Sequence, residues 1–382
     1  MNLKPTYYDV SVKRDPKMFE FLNMEVEHFN STGTALKTFD EIEDFSKYFK
    51  DVVLFEINDI AKKFKKELQL QGRVDLDDDE ILYTVKNNLP FDFMKVLMMD
   101  YVLMFNFILF QKKTFYFSKN LSNHLALTKL DAPSKFLSAP FECCLFVYDS
   151  PKIIDAFYKM IEGEIEKIIS PINVFIIQAD TSEGLRRLIL LCIQADEHLN
   201  THAYFKREIL IKEEWSIEEA LHTDWRDVFN ITDEETEEED IFFNEGLLFF
   251  RVVLNSLLYL GSNEIDIQEK LSPNKSLIEK YKRIKSNRKI NKLANRLSNN
   301  STLNYNLVGG NLPPIIVRKP SSSEKYISEY DSVLNYKKFL VRGHWRIQHY
   351  GKGNIETKLI WIMPYIKGPE FGEFINKQYK VS

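Results

Sequence analysis

Arg342, His344 and Arg346 alternate with Gly343 and Trp345, and Gln348, His349, Tyr350 and Lys352 follow within six residues. Read with period two, Phe339, Val341, Gly343, Trp345 and Ile347 share one face of a strand, while Arg342, His344, Arg346, Gln348 and Tyr350 share the other. Alternate strand residues stand about 6 to 7 Å apart, close to the repeat of extended nucleic-acid phosphates, so this face suits RNA. Tyr350 and the imidazoles add rings on which unpaired bases can stack. The candidate RNA- or partner-binding set is therefore Arg342, His344, Arg346, Gln348, Tyr350 and Lys352, with Trp345 and Trp361 as structural anchors beneath it. Two other uses of these residues stay open. The Arg and His side chains can simply hydrogen-bond the body they pack on, giving a structural or interaction protein without RNA contact. A toxin-like ribonuclease would use His344 and His349 as acid and base, with Arg346 or Lys352 steadying phosphate charge. Five residues apart on one strand, those imidazoles point to opposite faces, which weighs against the pairing.

Other chemistry-bearing residues carry less. His198 and His202 would share a helix face at i, i+4, but no third ligand has metal spacing and the H-E-x-x-H order is not met. Cys143 and Cys144 are adjacent rather than C-x-x-C, and Cys192 stands alone, so a thiolate zinc site and a disulfide framework are both disfavoured. Ser182-Glu183-Gly184 lacks a nucleophile elbow, and neither G-x-G-x-x-G nor a phosphate loop occurs. The expectation is no metal, no cofactor and, on balance, no catalysis.

Charge is divided along the chain. From Lys275 onward there are 21 Lys and Arg against 7 Asp and Glu, although the formal net charge of the whole is −5. A basic end of that kind draws phosphate or lies against the acidic remainder. Asp233–Asp240 holds seven acids in eight positions, which fits an exposed loop or the acidic start of a helix. Lys280 to Arg296 is a basic helix or arm that passes into the polar stretch Ser298–Thr302. The three cysteines and an N-terminal segment without secretory features favour a reducing cytoplasm. The most apolar window, Val96 to Phe110, is 15 residues long and contains Asp100 and Asn106, shorter than a membrane span.

These segments need elements to position them. Apolar periodicity predicts helices from Pro16 through about Phe117, including stretches around Met18–Phe29 and Phe45–Ile60 and an apolar helix over Phe91–Phe117; Asp77–Glu80 suits a helix start. Phe141–Tyr148 and Ile172–Ile177 predict strands flanking a helix over Lys152–Ser170, an order that favours parallel pairing. Further helices are expected near Ser182–His202 and Phe243–Leu260. At the end, a strand over residues 339–350 and another over about Ile355–Met363 form a hairpin around Gly351-Lys352-Gly353-Asn354. The expected class is α+β, helix-dominated, with a small central mixed sheet and a C-terminal β-hairpin. Its expected regions are 1–135 (helical), 136–265 (mixed α/β), 266–305 (basic helix and polar linker) and 306–382 (hairpin).

The tail Arg342-Gly343-His344-Trp345-Arg346, Gln348, Tyr350-Gly351, then Ile360-Trp361-Ile362, Pro364-Tyr365 and Lys367-Gly368-Pro369, resembles one that recurs in proteins of phages, plasmids and bacteria. That group is identified as including type V-A anti-CRISPR proteins that suppress biosynthesis of their target nuclease. The resemblance covers about the last 30 residues, and Asn255–Leu260 weakly. It implies a regulator encoded by a phage or mobile element that recognises a nascent polypeptide and lowers its mRNA during translation, in the bacterial cytoplasm. The implied partners are the nascent polypeptide and RNA or ribosome, with no membrane.

Overall fold

The computed structural model describes residues 3–14, 16–32, 65, 102–160, 170–180, 185–195, 201–221, 237–263, 265–272, 300–315, 337–368 and 373–374. Two compact units divide the chain: one comprises 1–10, 113–178 and 188–382, the other 11–112 and 179–187.

In the larger unit, seven strands form one mixed sheet. They are β1 (Thr114–Phe117), β2 (Cys143–Tyr148), β3 (Ile172–Asp180), β4 (Arg186–Ala195), β5 (Thr201–Ile211), β6 (Ile267–Lys270) and β7 (Tyr305–Val308), in the order β5-β4-β3-β2-β1-β7-β6. β1 lies between two parallel neighbours, with Phe115 opposite Phe146 of β2 and Asn306 of β7. β2 is buried at every position, so both of its faces are covered and its sequence shows a continuous apolar run rather than alternation. Helix α4 (Lys119–Ala126), helix α5 (Pro151–Met160) and the 25-residue helix α6 (Glu237–Gly261) follow later in the chain. α5 and α6 contribute Phe157 and Phe249, whose rings lie 5.2 Å apart in the core. In the centre, the Tyr148 hydroxyl of β2 donates to Ser256 Oγ of α6 at 2.9 Å, giving a buried phenol its partner.

The smaller unit contains α2 (Pro16–Thr32) and α3 (residues 102–109); α1 (Tyr7–Arg14) begins in the larger unit and ends in the smaller. Phe29 of α2 meets Phe105 of α3 edge-on at 5.4 Å. Asn106, fully buried among these apolar residues, directs its Nδ2 to the Val102 carbonyl one turn back. No described helix is long and apolar enough to cross a membrane.

The α+β class, the central mixed sheet and the C-terminal hairpin are as the sequence predicts. Four local expectations differ. The helix expected through Phe117 stops at residue 109, where Gln111 and Lys112 take positive φ, and Thr-Phe-Tyr-Phe then favours β1. The helix expected near 182–202 is instead β4 and the start of β5, because a run such as Leu188–Ile193 that is buried throughout carries no period to separate strand from helix. His202 thus lies in a strand, and the helical i, i+4 relation to His198 does not arise; His198 itself lies outside the described residues. β2 and β3 pair antiparallel despite the helix between them, with Leu145 opposite Phe175. The elements expected at 45–60, 77–80 and 280–296 lie outside the described residues. Of the acidic run, residues 237–240 form the start of α6.

A carboxylate ties the N-terminal segment to the sheet's far side. Asp9 is 3% exposed; its Oδ2 accepts from the Thr6 amide and hydroxyl (2.8 Å each) and Ser301 Oγ (2.7 Å), and its Oδ1 accepts from the Thr302 amide (2.7 Å) and hydroxyl (2.6 Å). Five donors converge on one buried anion, so removing it strands all of them. Asp9→Ala is expected to cost about 3 kcal/mol or more, measured as a lowered urea midpoint at unchanged slope. Asp9→Asn should cost nearly as much, because the amide presents hydrogens to donors.

Candidate functional site

The tail is built from β8 (Lys337–Val341), β9 (His344–Tyr350), β10 (Glu356–Ile362), β11 (Tyr365–Lys367) and β12 (Glu373–Phe374). β9 and β10 form the expected hairpin, with Trp345 opposite Trp361 and Leu359 opposite Ile347. The turn uses Gly351 at φ +79° and Asn354 at φ 56°, a left-handed pair that closes the ribbon through a short 3-10 segment, Lys352–Asn354. The single strand expected over 339–350 is broken. β8 pairs with β11 and β12, and the chain leaves that sheet at Arg342-Gly343 before entering β9.

The break has a steric cause. Gly343 forms a parallel bridge with Thr128, its amide donating to the Leu127 carbonyl (3.0 Å) and its carbonyl accepting from the Lys129 amide (2.9 Å). A Cβ at 343 would stand 2.5 Å from Thr128 Oγ1, 2.8 Å from Pro364 Cδ and 3.0 Å from the Ile362 carbonyl oxygen, so only glycine fits there. The backbone is thereby pinned to the residues just after α4, and the strand direction changes at the pin.

From this pin the two indoles descend into the body. Trp345, 6% exposed, donates from Nε1 to Asn255 Oδ1 of α6 at 2.7 Å. Asn255 is itself fully buried and donates from Nδ2 to the carbonyls of Leu125 and Thr128, 3.1 Å each. The Leu125 carbonyl also accepts from the Thr128 amide at 3.1 Å, so one asparagine adds to the turn that ends α4 and receives the tail. Trp361 donates from Nε1 to Thr128 Oγ1 (3.1 Å), whose hydroxyl in turn donates to the His124 carbonyl (2.9 Å). The indole rings stack at 6.3 Å and 28°, and Trp361 also meets Tyr259 edge-on at 5.3 Å. Trp345 and Leu359 belong to the same apolar cluster as β2 and α6. The Trp345 amide donates to Asp131 Oδ1 at 3.2 Å, fixing the start of β9.

The other face carries the remaining candidates. Arg346 and Lys352 are exposed, Tyr350 is 41% exposed, and Arg342, His344 and Gln348 are half-buried. On β10 the residues opposite Arg346, Gln348 and Tyr350 are Ile360, Lys358 and Glu356. The Lys358 ammonium lies 5.5 Å from the Tyr350 ring centroid, adding a cation to this face. A hydrogen bond and the charge of Glu356 raise the Tyr350 hydroxyl above its ordinary value. Gln348 Nε2 donates to the adjacent His349 carbonyl at 3.0 Å. Among the described residues, no carboxylate forms an ion pair with Arg342 or Arg346. Arg342, set before the Gly343 pin, belongs to neither β8 nor β9.

His344 and His349 sit at opposite ends of β9, opposite Ile362 and Thr357. Five strand steps separate them by about 16 Å, too far for both to act on one phosphate. The three cysteines are wholly buried, and burial pushes each thiol well above its ordinary value, away from nucleophilic use. No group of three or more His, Cys, Asp or Glu able to hold a metal occurs among the described residues.

Residues 340–368 match the model of the AcrVA2-like family, described as Anti-CRISPR type V subtype A2. The chain is similar to that family over this segment, which spans the end of β8, the whole β9–β10 hairpin and β11. No curated protein and no solved structure matches the chain. Asn255, outside the matched segment, was readable only as a weak echo in Asn255–Leu260; its role as receiver of Trp345 emerges from the packing.

Two substitutions test the seat. Gly343→Ala should lift the hairpin off Thr128, costing about 1–3 kcal/mol and red-shifting tryptophan emission as Trp345 meets water. Asn255→Leu removes the acceptor of the Trp345 N–H and the amide donor to the Leu125 and Thr128 carbonyls, and should cost about 3 kcal/mol in chemical denaturation.

Proposed function

We propose that this chain is an anti-CRISPR-like regulator of a phage or mobile element that recognises a nascent polypeptide and lowers its mRNA during translation, contacting RNA or ribosome through the tail. The observation that carries this reading is the coincidence of the family match at 340–368 with a docked hairpin. The hairpin holds its indoles inside the body and carries Arg346, Tyr350, Lys352 and Lys358 on its other side. Guanidinium and ammonium groups that form no ion pair among the described residues suit a phosphate backbone, and the single-stranded form is favoured because an aromatic ring lies among them. The bacterial cytoplasm is where such a partner is met.

The site supports binding better than catalysis, since its two imidazoles cannot share a substrate phosphate. Recognition of the nascent chain is assigned to the body as a whole, not to named residues.

In cells expressing a type V-A nuclease, co-expression of this chain is expected to lower the nuclease message. A recoded gene with the same polypeptide should stay sensitive, whereas a frameshifted one with nearly the same message should escape. Persistence of the effect on the frameshifted message would overturn the nascent-chain reading. Arg346→Ala, on an exposed position, should leave stability within about 0.5 kcal/mol of the parent. It should weaken binding to a single-stranded RNA and flatten its salt dependence by about 0.7 in log–log slope.

A further inference from the structure

The hairpin is longer than its anchorage requires. Toward the turn, Trp345 and Leu359 are the last of its residues to enter the core, and every residue from 349 to 357 is exposed. Exposure holds on both faces, since Ile347, His349 and Thr357 lie on the side of Trp345, and Arg346, Tyr350 and Glu356 on the other. Tyr350 stands five strand steps beyond Trp345, about 16 Å. A ribbon needed only to close the core would turn sooner, because a free two-stranded hairpin is marginally stable by itself.

The free end is nonetheless held in one shape. The Asn354 amide donates to the Gly351 carbonyl at 3.2 Å. At φ +79°, a Cβ on Gly351 would stand 3.0 Å from Glu356 Oε1, so glycine lets that carboxylate lie across the turn. Glu356 accepts the Tyr350 hydroxyl, and the Lys358 ammonium lies 5.5 Å from the ring centroid, so the ring is fixed before any ligand arrives. The register places Tyr350, then Lys358 opposite Gln348, then Arg346 along one face from the turn toward the body. At the end stands Ile355, 84% exposed, the most exposed large apolar side chain among the described residues. Its Cδ1 and Cγ1 lie 3.7 Å from the Cβ position of Gly353, so it folds over the turn and forms the blunt end of the ribbon.

Turns ordinarily carry polar residues. An aliphatic end on a cationic arm suits an apolar surface bordered by phosphates, and in RNA that surface is the face of the base pair that ends a stack. A single strand lying along Tyr350, Lys358 and Arg346 leaves Ile355 uncovered. We propose that the free end of the hairpin seats on the junction where paired RNA opens into a single strand. Ile355 covers the last base pair, Tyr350 stacks the first unpaired base, and Lys358 and Arg346 follow that strand's phosphates toward the body. The opposite face at this end, Ile347, His349 and Thr357, has no Lys or Arg, so only one of the two separated strands is held. This inference rests on the RNA reading of the tail and narrows it to a stem with an unpaired flank.

The test uses the full chain with fluorescein-labelled RNA: an oligouridylate, a blunt duplex, and that duplex carrying an oligouridylate tail on one strand, at either end. The parent is expected to bind one tailed duplex about 5- to 10-fold more tightly than the oligouridylate, the gain from partly covering one aliphatic side chain. Ile355→Ser, at a position too exposed to matter for folding, should erase that preference while binding oligouridylate as the parent does. Ile355→Lys should erase it too; if the added cation instead tightens every probe and keeps the preference, attraction by charge explains the tip and the junction is overturned. Arg346→Ala should weaken the tailed duplex and the oligouridylate alike, because both use the same phosphate track. If oligouridylate binds the parent but neither tailed duplex binds better, or Ile355→Ser keeps the preference, the junction falls and the RNA reading stands. If no RNA binds, both fall. Sedimentation with phosphatidylglycerol vesicles of the parent and not of Ile355→Ser would then overturn the junction in favour of a membrane surface.

Discussion

The hydrogen bond from Trp345 Nε1 to Asn255 Oδ1 joins three parts of the chain that nothing in sequence brings together. Its acceptor is held in place by the carbonyls of Leu125, in the last turn of α4, and Thr128, just beyond it, so the helix terminus, the long helix α6 and the tail are fixed by one buried amide. A tryptophan offers a large apolar body with a single polar atom, and Asn255 is the one group placed to satisfy it. Loss of either partner leaves polar atoms dry, which is costlier than never having made the bond. The outward face of the hairpin is orientated because the inward face is specified in this way. Glycine at 343 adds the steric half of the same constraint, allowing the tail backbone to lie against Thr128.

This arrangement explains why a short segment can be distinctive while the rest of the chain matches no curated protein or solved structure. Residues 340–368 carry their own pairing register, turn chemistry and anchors, and they demand only a receptive groove between α4 and α6. Many apolar sequences can line such a groove provided an asparagine and a small hydroxyl residue stand at its rim.

Much of the tail was legible beforehand, since period-two alternation around Trp345 and Trp361 separates inner from outer residues and the Gly-Lys-Gly-Asn stretch marks the turn. The class and the strands β2 and β3 were legible for similar reasons: short branched and aromatic runs bounded by proline and aspartate. What failed to show was anything set by burial on all sides. Leu188–Ile193 has no polar face from which to infer a period, so β4 and β5 resembled a helix. Pairing direction was hidden too, because β2 takes its parallel neighbour from β1, an element that sequence periodicity merges into the preceding helix. Arg342 illustrates the limit at the site: alternation assigns it to the hairpin ladder, yet it lies between β8 and β9, at the break before Gly343.

The position of β1 bears on how the chain reaches this state. One of its edges is satisfied by β2, about 30 residues on, and the other by β7, whose residues 305–308 arrive nearly 200 positions later. Asp9 waits longer still for Ser301 and Thr302, 292 and 293 positions on. A growing polypeptide of this sequence must hold an aromatic strand half-paired until residues 305–308 are made, exposed to aggregation and dependent on slow, long-range closure. Chaperone demand and a sluggish final folding phase are thus written into the topology, ahead of any encounter with another molecule.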